Sequence, residues 1–468
     1  MRQTATFPIE DLAFWKKQLL NWVAGYELGV YLDSHGLGTS EVFEDLRGLS
    51  WECLAAADAV EMLEANAGGA FEQLEHFRQG KKDWVFGFFG YDLKNELEQL
   101  SSQNYDGIGL SDMGFFRPKT VAGIKPVGFL ESTGVSYFLE IQSLDRMPEE
   151  VYAAIKTAKY KPAKGANTGA KLHPRISRSD YLESVETIRQ HIAGGDIYEM
   201  NFCQEFFAEN AKLDPVTVFE RLNEIGKAPF TTFLRWRDRY LLSASPERFL
   251  KKSGQKLITQ PIKGTRRRCK TAAEDEQIRQ ELANSEKDRS ENVMIVDLVR
   301  NDLSRNCLPG SVRVEELCGI YTFATVHQMI STVSGSLGSL ESLGSLTDTR
   351  NNPNDLMTND HNDLIALHSL RDCFPMGSMT GAPKVMAMEL IERYEQTRRG
   401  LYSGAVGYFS PDGNFDFNVV IRSILYNAAT GYVSAQVGGA IVYDSVPEAE
   451  YEECLVKVEA MMRALSPF

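Results

Sequence analysis

Pro261-Ile262-Lys263-Gly264-Thr265 follows the strand-like run Lys256-Leu257-Ile258-Thr259 and reads as a tight, glycine-containing turn that carries one lysine. An amine pinned there and shielded from water has its charged form penalised, which frees the neutral amine to act as a nucleophile. On an open turn the same lysine is a surface charge or a ligand for a carboxylate. Upstream, Ser245-Pro246-Glu247-Arg248-Phe249 follows the apolar Tyr240-Leu241-Leu242. A carboxyl at the end of a buried strand has a raised pKa, keeps its proton near neutrality and suits general acid work. The alternative is a turn glutamate paired with Arg248.

Further acids fall on two expected helices. The first spans residues 274–305, with apolar positions Ile278, Leu282, Ile295, Leu298 and Val299. Asp288 and Glu291, three apart, share one of its faces. The second begins at Ser445-Val446-Pro447, with serine as cap and proline in the first turn. Its apolar stripe is Tyr451, Cys454, Leu455, Val458, Met461, Met462 and Leu465, and Glu450, Glu453 and Lys457 run beside it. By spacing alone, Glu453 and Lys457 are an ordinary surface pair. Thr380 in Met-Thr-Gly-Ala-Pro-Lys sits where a loop enters a helix, with Pro383 in the first turn, an arrangement that offers free N–H groups to an anion. Tyr408 and Arg422 alternate with apolar neighbours along strands, where an arginine either grips a carboxylate or faces solvent. Gly438-Gly439 allows close approach of backbone N–H groups, or simply marks a bend. His327 in Thr-Val-His-Gln is a lone histidine, which more often serves a structural hydrogen bond.

The elements that must hold these residues mix helices and strands without a regular βαβ rhythm. Residues 9–23 read as a helix, Tyr31 to His35 as a strand end entering a turn, and Trp84 to Asp92 as a buried strand running into a loop. The basic, small-residue stretch 156–173 reads as an exposed linker or loop between an N-terminal part, 1–155, and a larger part, 174–468. Ser179-Asp180 caps the next helix, with Tyr181, Leu182, Val185, Ile188 and Ile192 on one face, and residues 197–207 then read as a strand. Residues 336–366, rich in Ser, Gly, Asn, Asp and Thr, read as a mobile surface insertion.

Taken in order, Ser-Pro-Glu-Arg-Phe, Pro-Ile-Lys-Gly-Thr, Ser290-Glu291-Asn292, Met-Thr-Gly-Ala-Pro-Lys, Val-Gly-Gly-Ala-Ile-Val and Glu-Ala-Glu-Tyr-Glu-Glu resemble the chorismate-utilising enzymes. The resemblance is strong over residues 165–468 and weak before them. It implies an α/β fold of α+β type, with two stacked antiparallel-rich sheets and helices outside, like anthranilate synthase component I. The lysine of the pentapeptide is similar to that of the branch that aminates chorismate at C4, toward p-aminobenzoate and folate; the branch that aminates C2 has alanine there. In the C4 branch Lys263 would add at C2 as the 4-hydroxyl leaves, and ammonia would then add at C4 as the lysine leaves.

The resemblance gives Glu247 the proton of the leaving hydroxyl. It gives Glu291 and Glu453 a Mg²⁺, with Asp288 and Glu450 as second-line carboxylates. Thr265, Thr380, Tyr408, Arg422, Gly438, Gly439 and Lys457 become substrate contacts, and His327 lies near the leaving group. Leu32-Asp33-Ser34 matches a segment that lines a tryptophan pocket in relatives. Water-using members carry a lysine where this chain has Glu199, and ammonia users usually a glutamine. The expected partner is a separate glutamine amidotransferase subunit that delivers ammonia. Two other readings stand beside this one: amination at C2, and a non-catalytic subunit that binds chorismate or tryptophan.

The bulk numbers are ordinary for a soluble globular protein. Over 468 residues, 43% are hydrophobic and 24% charged. A formal charge of −14 argues against general nucleic-acid binding and requires locally concentrated positive charge for an anionic substrate. No run of residues is apolar and long enough to span a bilayer, and the N-terminus does not read as a signal peptide. Seven cysteines without a Cys-x-x-Cys pair suggest a reducing cytosol.

Overall fold

The computed structural model describes residues 1–36, 51–130, 134–166, 169–338 and 361–466. Within them, 20 strands form one hydrogen-bonded system, and the strand ladders are antiparallel throughout. The system doubles back into two facing layers at the strand Met113–Leu130. Its first residues pair on one side with Cys53–Ala65 and on the other with Val85–Phe89. One layer continues through Leu28–Asp33, Phe230–Trp236, Arg239–Ser245, Ser423–Asn427 and Tyr432–Ile441 to Glu199–Ala208. The other continues through Ala405–Phe409, Phe415–Val419, Arg248–Ser253 and Lys256–Gln260 to Val326–Ser336. The strand Val326–Ser336 also pairs with Ile262–Arg267 and Arg313–Thr322.

Side chains alternate across a strand, so each layer has two faces to bury. Val30, Leu54, Ala56, Leu234 and Trp236 point into an aromatic-rich core with Phe86, Phe88, Phe115 and Phe417. Their neighbours Tyr31, Ala55, Ala57 and Phe233 point outward into a second core. That core is closed by the helices Leu12–Ala24, Pro148–Lys156, Arg178–Gly194, Pro215–Gly226 and Pro447–Ala464. Glu286–Ser304 and His361–Cys373 contribute Val299, Leu303, Ile365 and Leu370 to the aromatic core instead. The fold is therefore α/β with antiparallel sheets and helices outside, as the resemblance implies. Both cores draw on residues from before 155 and after 173.

Several boundaries differ from expectation, each for a local reason. Gln3–Ile9 is a strand paired with Gly134–Ser143, a partner the local pattern does not reveal. The first helix starts only after Asp11, whose carboxylate accepts from Phe14 N–H. The helix expected over 274–305 is two, Ala272–Asn284 and Glu286–Ser304. Ser285 ends the first and caps the second by accepting from Asp288 N–H. Ser177 rather than Ser179 caps Arg178–Gly194. The last helix has Val446 at its N-cap, because the Ser445 hydroxyl donates to Glu450. Of the expected insertion 336–366, residues 339–360 lie outside the described residues, while 361–366 belong to the helix His361–Cys373.

Candidate active site

Lys263 lies within the strand Ile262–Arg267 rather than on a turn. The strand bulges between Ile262 and Thr265, and Gly264 takes the left-handed φ of +82° that makes the bulge. A Cβ on Gly264 would stand 2.9 Å from Asp288 Oδ1 and from Leu282 Cδ1. Glycine thus lets the strand press against Glu286–Ser304, which brings Lys263 and Glu291 into one electrostatic neighbourhood. Lys263 Nζ donates to Glu199 Oε1 at 2.8 Å. Burial by itself favours the neutral amine, but Glu199, then Glu291 and Glu247, outweigh it and raise the lysine above its usual pKa. The expectation of a lysine made neutral by desolvation is corrected: its carboxylate neighbours hold it as an ammonium.

Glu247 is buried at the bend between Arg239–Ser245 and Arg248–Ser253. Its Oε1 accepts from Ser378 Oγ at 2.6 Å. Burial pushes its carboxyl up to about 7, against the lowering effects of the Ser378 bond and Lys263. The Arg248 guanidinium makes two bonds to Asp416, at 2.9 and 3.0 Å, and one to Gln260. Glu247 lines a cavity together with Thr259, Pro261, Val299, Gly377 and Ser378.

The two acid-bearing helices converge nearby. Glu291 Oε1 is buried without a hydrogen-bond partner, and burial raises its carboxyl to about 7. Lys287 Nζ stands 3.9 Å from Glu291 and 3.8 Å from Glu450. Lys457 Nζ donates to Gly438 O at 2.6 Å and pairs with Glu453 at 2.5 Å. Glu453 is 47% exposed, and Lys457 beside it holds its carboxyl below the usual value. A Cβ on Gly439 would lie 3.2 Å from Glu450 Oε2, 3.5 Å from Glu453 Oε1 and 3.6 Å from Lys457 Nζ. The glycine pair, Glu450, Glu453 and Lys457 therefore share one corner. Asp288 turns to Arg266 at 2.7 Å.

Among the described residues, no three His, Cys, Asp or Glu close into a cage. Mg²⁺ does not need one, since it takes one or two protein carboxylates and fills its shell with water and substrate oxygens. The buried Glu291 Oε1, which makes no hydrogen bond and has Lys287 only at 3.9 Å, fits such a cation.

Three substrate-contact expectations are relocated in detail. Arg422 sits between Phe415–Val419 and Ser423–Asn427, off the strands, at φ 53°. Burial lowers its pKa, and Tyr402 and then Glu453 act against that. Thr380 is fully buried, and its hydroxyl donates to Gly377 O at 3.2 Å while its N–H bonds the same carbonyl. Pro383 is the N-cap of Lys384–Tyr394, so Thr380 precedes that helix by a two-residue strand, Gly381–Ala382. Thr265 stands opposite Gln328 across the ladder.

Two further residues have partners that the sequence does not reveal. The ring nitrogens of His327 engage Thr322 Oγ1 at 2.9 Å and Asp275 Oδ1 at 3.1 Å. Strand alternation puts its neighbour Gln328 on the other face, opposite Thr265 and with Oε1 unpartnered. His327 thus ties its strand to the helix Ala272–Asn284 through Asp275. Tyr408 packs at a tilt against Trp84 and Phe86, with ring centroids 5.5 and 5.7 Å away, and lines a second cavity with Ser34, Asp33, Trp51, Thr231 and Asp416. It belongs with the segment expected to form the tryptophan pocket. There the Ser34 hydroxyl donates to Glu52 O at 3.0 Å, and Lys16 bridges Asp33 and Glu52.

Sequence reading missed Ser378, Tyr402 and Gln328 altogether, because only their three-dimensional neighbours mark them. The position of Glu199 marks it in the sequence, but its bond to Lys263 does not show there.

Comparison with known proteins gives the family and the fold. The chain belongs to the chorismate binding enzyme family, which matches residues 35–348 and 358–463. It is 34% identical to aminodeoxychorismate synthase component 1 of Escherichia coli over 381 residues, covering 81% of this chain and 76% of that protein. It is 35% identical to the protein of the same name from Bacillus subtilis over 389 residues, covering 81% and 76%. Anthranilate synthase component 1 of Thermus thermophilus is 33% identical over 389 residues, covering 81% and 77%. Among solved structures, anthranilate synthase component I of Streptococcus pneumoniae superposes with a TM-score of 0.67 at 24% identity, covering 87% of this chain and 91% of that one. The menaquinone-specific isochorismate synthase of Escherichia coli gives 0.69 at 16% identity, covering 99% and 94%. Among the described residues, no helix is long and apolar enough to cross a membrane.

Proposed function

We propose that this chain aminates chorismate at C4, with ammonia as the nitrogen source, through an adduct on Lys263. The observation that carries the reading is Lys263 itself, set among Glu199, Glu291 and Glu247 at the place where the C2-aminating branch has alanine. Glu247, protonated near neutrality, gives its proton to the C4 oxygen. Lys263 Nζ bonds to C2 as the ring double bonds shift and water leaves; ammonia then bonds to C4 and the lysine departs. The glycine pair, Lys457 and Arg422 bind and orient the carboxylates of the substrate. Glu291 and Glu453 would hold Mg²⁺, with Asp288 and Glu450 behind them, and the ion when bound neutralises a ring carboxylate.

Identifying the product made from chorismate, ammonium and Mg²⁺, by mass and fluorescence, tests the reading. 4-Amino-4-deoxychorismate is expected, and anthranilate would replace this conclusion with the C2 reaction. Glutamine alone should not support turnover. Six of the seven cysteines are buried and the seventh, Cys269, is half-buried, and none has the glycine-rich setting of an amidotransferase nucleophile. A separate glutamine amidotransferase subunit would supply ammonia, and adding it should confer glutamine use without changing the product.

The metal assignment has its own test. Glu453→Gln keeps size but removes charge, so the Mg²⁺ concentration for half-activity should rise about tenfold or more. Lys457→Gln should instead raise the KM for chorismate. An unchanged Mg²⁺ dependence in the Glu453 variant removes that residue from the metal. We also propose that the cavity of Ser34 and Tyr408 takes tryptophan.

A further inference from the structure

We propose that Glu199 is the base that frees Lys263 for attack, its carboxylate taking the proton of the lysine ammonium before Nζ bonds to C2. This rests on the covalent reading of Lys263 given above. Lys263 Nζ is 2.8 Å from Glu199 Oε1, and the two side chains are only 10% and 1% exposed. Bulk water is therefore not there to take the proton. Glu199 Oε2 is buried without a hydrogen-bond partner, so the carboxyl has spare capacity and accepts a proton without breaking another bond.

The position is rigid. Glu199 opens the strand Glu199–Ala208, whose next residue, Met200, pairs with Ile441 on one side and Gly381 on the other. A Cβ at Gly381 would stand 2.2 Å from Glu199 O, so glycine is what lets that segment clamp the backbone of the base.

The other two acids that face Lys263 are already committed. Glu247 must carry a proton to release the C4 oxygen, and burial keeps that proton on it, while Ser378 fixes its orientation. Glu291 is the acid set aside for the cation. That leaves Glu199 as the acceptor.

The protons balance. One moves from Nζ to Glu199, and the lone pair left on Nζ forms the bond to C2. The C4–O bond breaks, and the oxygen leaves as water with the proton of Glu247. When ammonia bonds to C4, the C2–Nζ electron pair returns to the lysine as a neutral amine, which retrieves its proton from Glu199. The new C4 ammonium returns a proton to Glu247.

The test is adduct formation by rapid quench and intact mass, with chorismate and Mg²⁺ and without ammonia. Glu199→Gln keeps the size and the hydrogen bond to Lys263 but cannot take the proton. It should slow adduct formation about 100-fold, with chorismate affinity changed by less than about threefold. Glu199→Asp, a carboxylate set one methylene back, should recover about tenfold of that loss. A wild-type adduct rate in the Gln variant, or an Asp variant no faster than Gln, overturns the role of Glu199 alone. Absence of any adduct in the wild type overturns the covalent reading and this role with it.

Discussion

Replacing Lys263 with alanine should abolish 4-amination, by on the order of 10³-fold or more, while chorismate still binds. The loss is expected to be that large because the residue enters the reaction covalently, so its removal deletes two steps. The variant also strands Glu199, buried to 1% exposure with its ion-pair partner gone. Breaking a buried pair costs about 3–5 kcal/mol, partly relieved as the carboxyl takes up a proton. Chorismate affinity measured on the same sample separates lost chemistry from lost fold. Near-normal 4-amination by Lys263→Ala, with no wild-type adduct by mass, would contradict the covalent route.

Glu247→Gln should cost about 10²–10⁴-fold in kcat, the range of a general acid, with a signature in pH. The carboxyl is raised from 4.5 to about 7, and its acid form is the active one. At fixed free ammonia and saturating Mg²⁺, wild-type activity should therefore fall as pH rises through about 7, and the Gln variant should lose that limb. Stability gives an independent readout. A group whose folded pKa lies above its unfolded value stabilises the fold at low pH, and that contribution is lost as pH rises through about 7. The Gln variant should thus gain on the wild type in denaturation midpoint at pH 8 relative to pH 5. Parallel midpoints at the two pH values would place Glu247 in a solvated setting unlike the one described.

Much of the site is legible in the chain because its residues sit in short, chemically distinctive runs. Pro-Ile-Lys-Gly-Thr and Val-Gly-Gly-Ala-Ile-Val are legible this way, and the carboxylate stripe of the last helix follows from helical spacing. What was not legible depends on which way a strand faces. His327 and Gln328 are adjacent, and a one-residue difference in facing exchanges a structural histidine for a residue opposite Thr265. Tyr408 and Tyr402 are close in sequence, yet one lies in the second cavity and the other beside Arg422. The charge state of Lys263 was hidden for another reason. Burial is inferable from apolar flanks, but the carboxylates that outweigh it come from Glu199, Glu291 and Glu247, residues distant in sequence from one another. Helix ends failed where serine had other business, as at Ser445.

The pairing of the first third with the rest makes this an enzyme that cannot be cut at its basic linker. A fragment beginning near residue 174 would keep every residue proposed for the chemistry. It would also lose Leu28–Asp33 from the edge of Phe230–Trp236 and Val85–Phe89 from the edge of Ala405–Phe409. Two apolar strand edges, one in each layer, would then stand open to any other chain, which is the geometry of edge-to-edge aggregation. Insertions within the linker are compatible with this topology, whereas separation of the two parts is not, and the segment that looks like a joint between modules is a crossover within one.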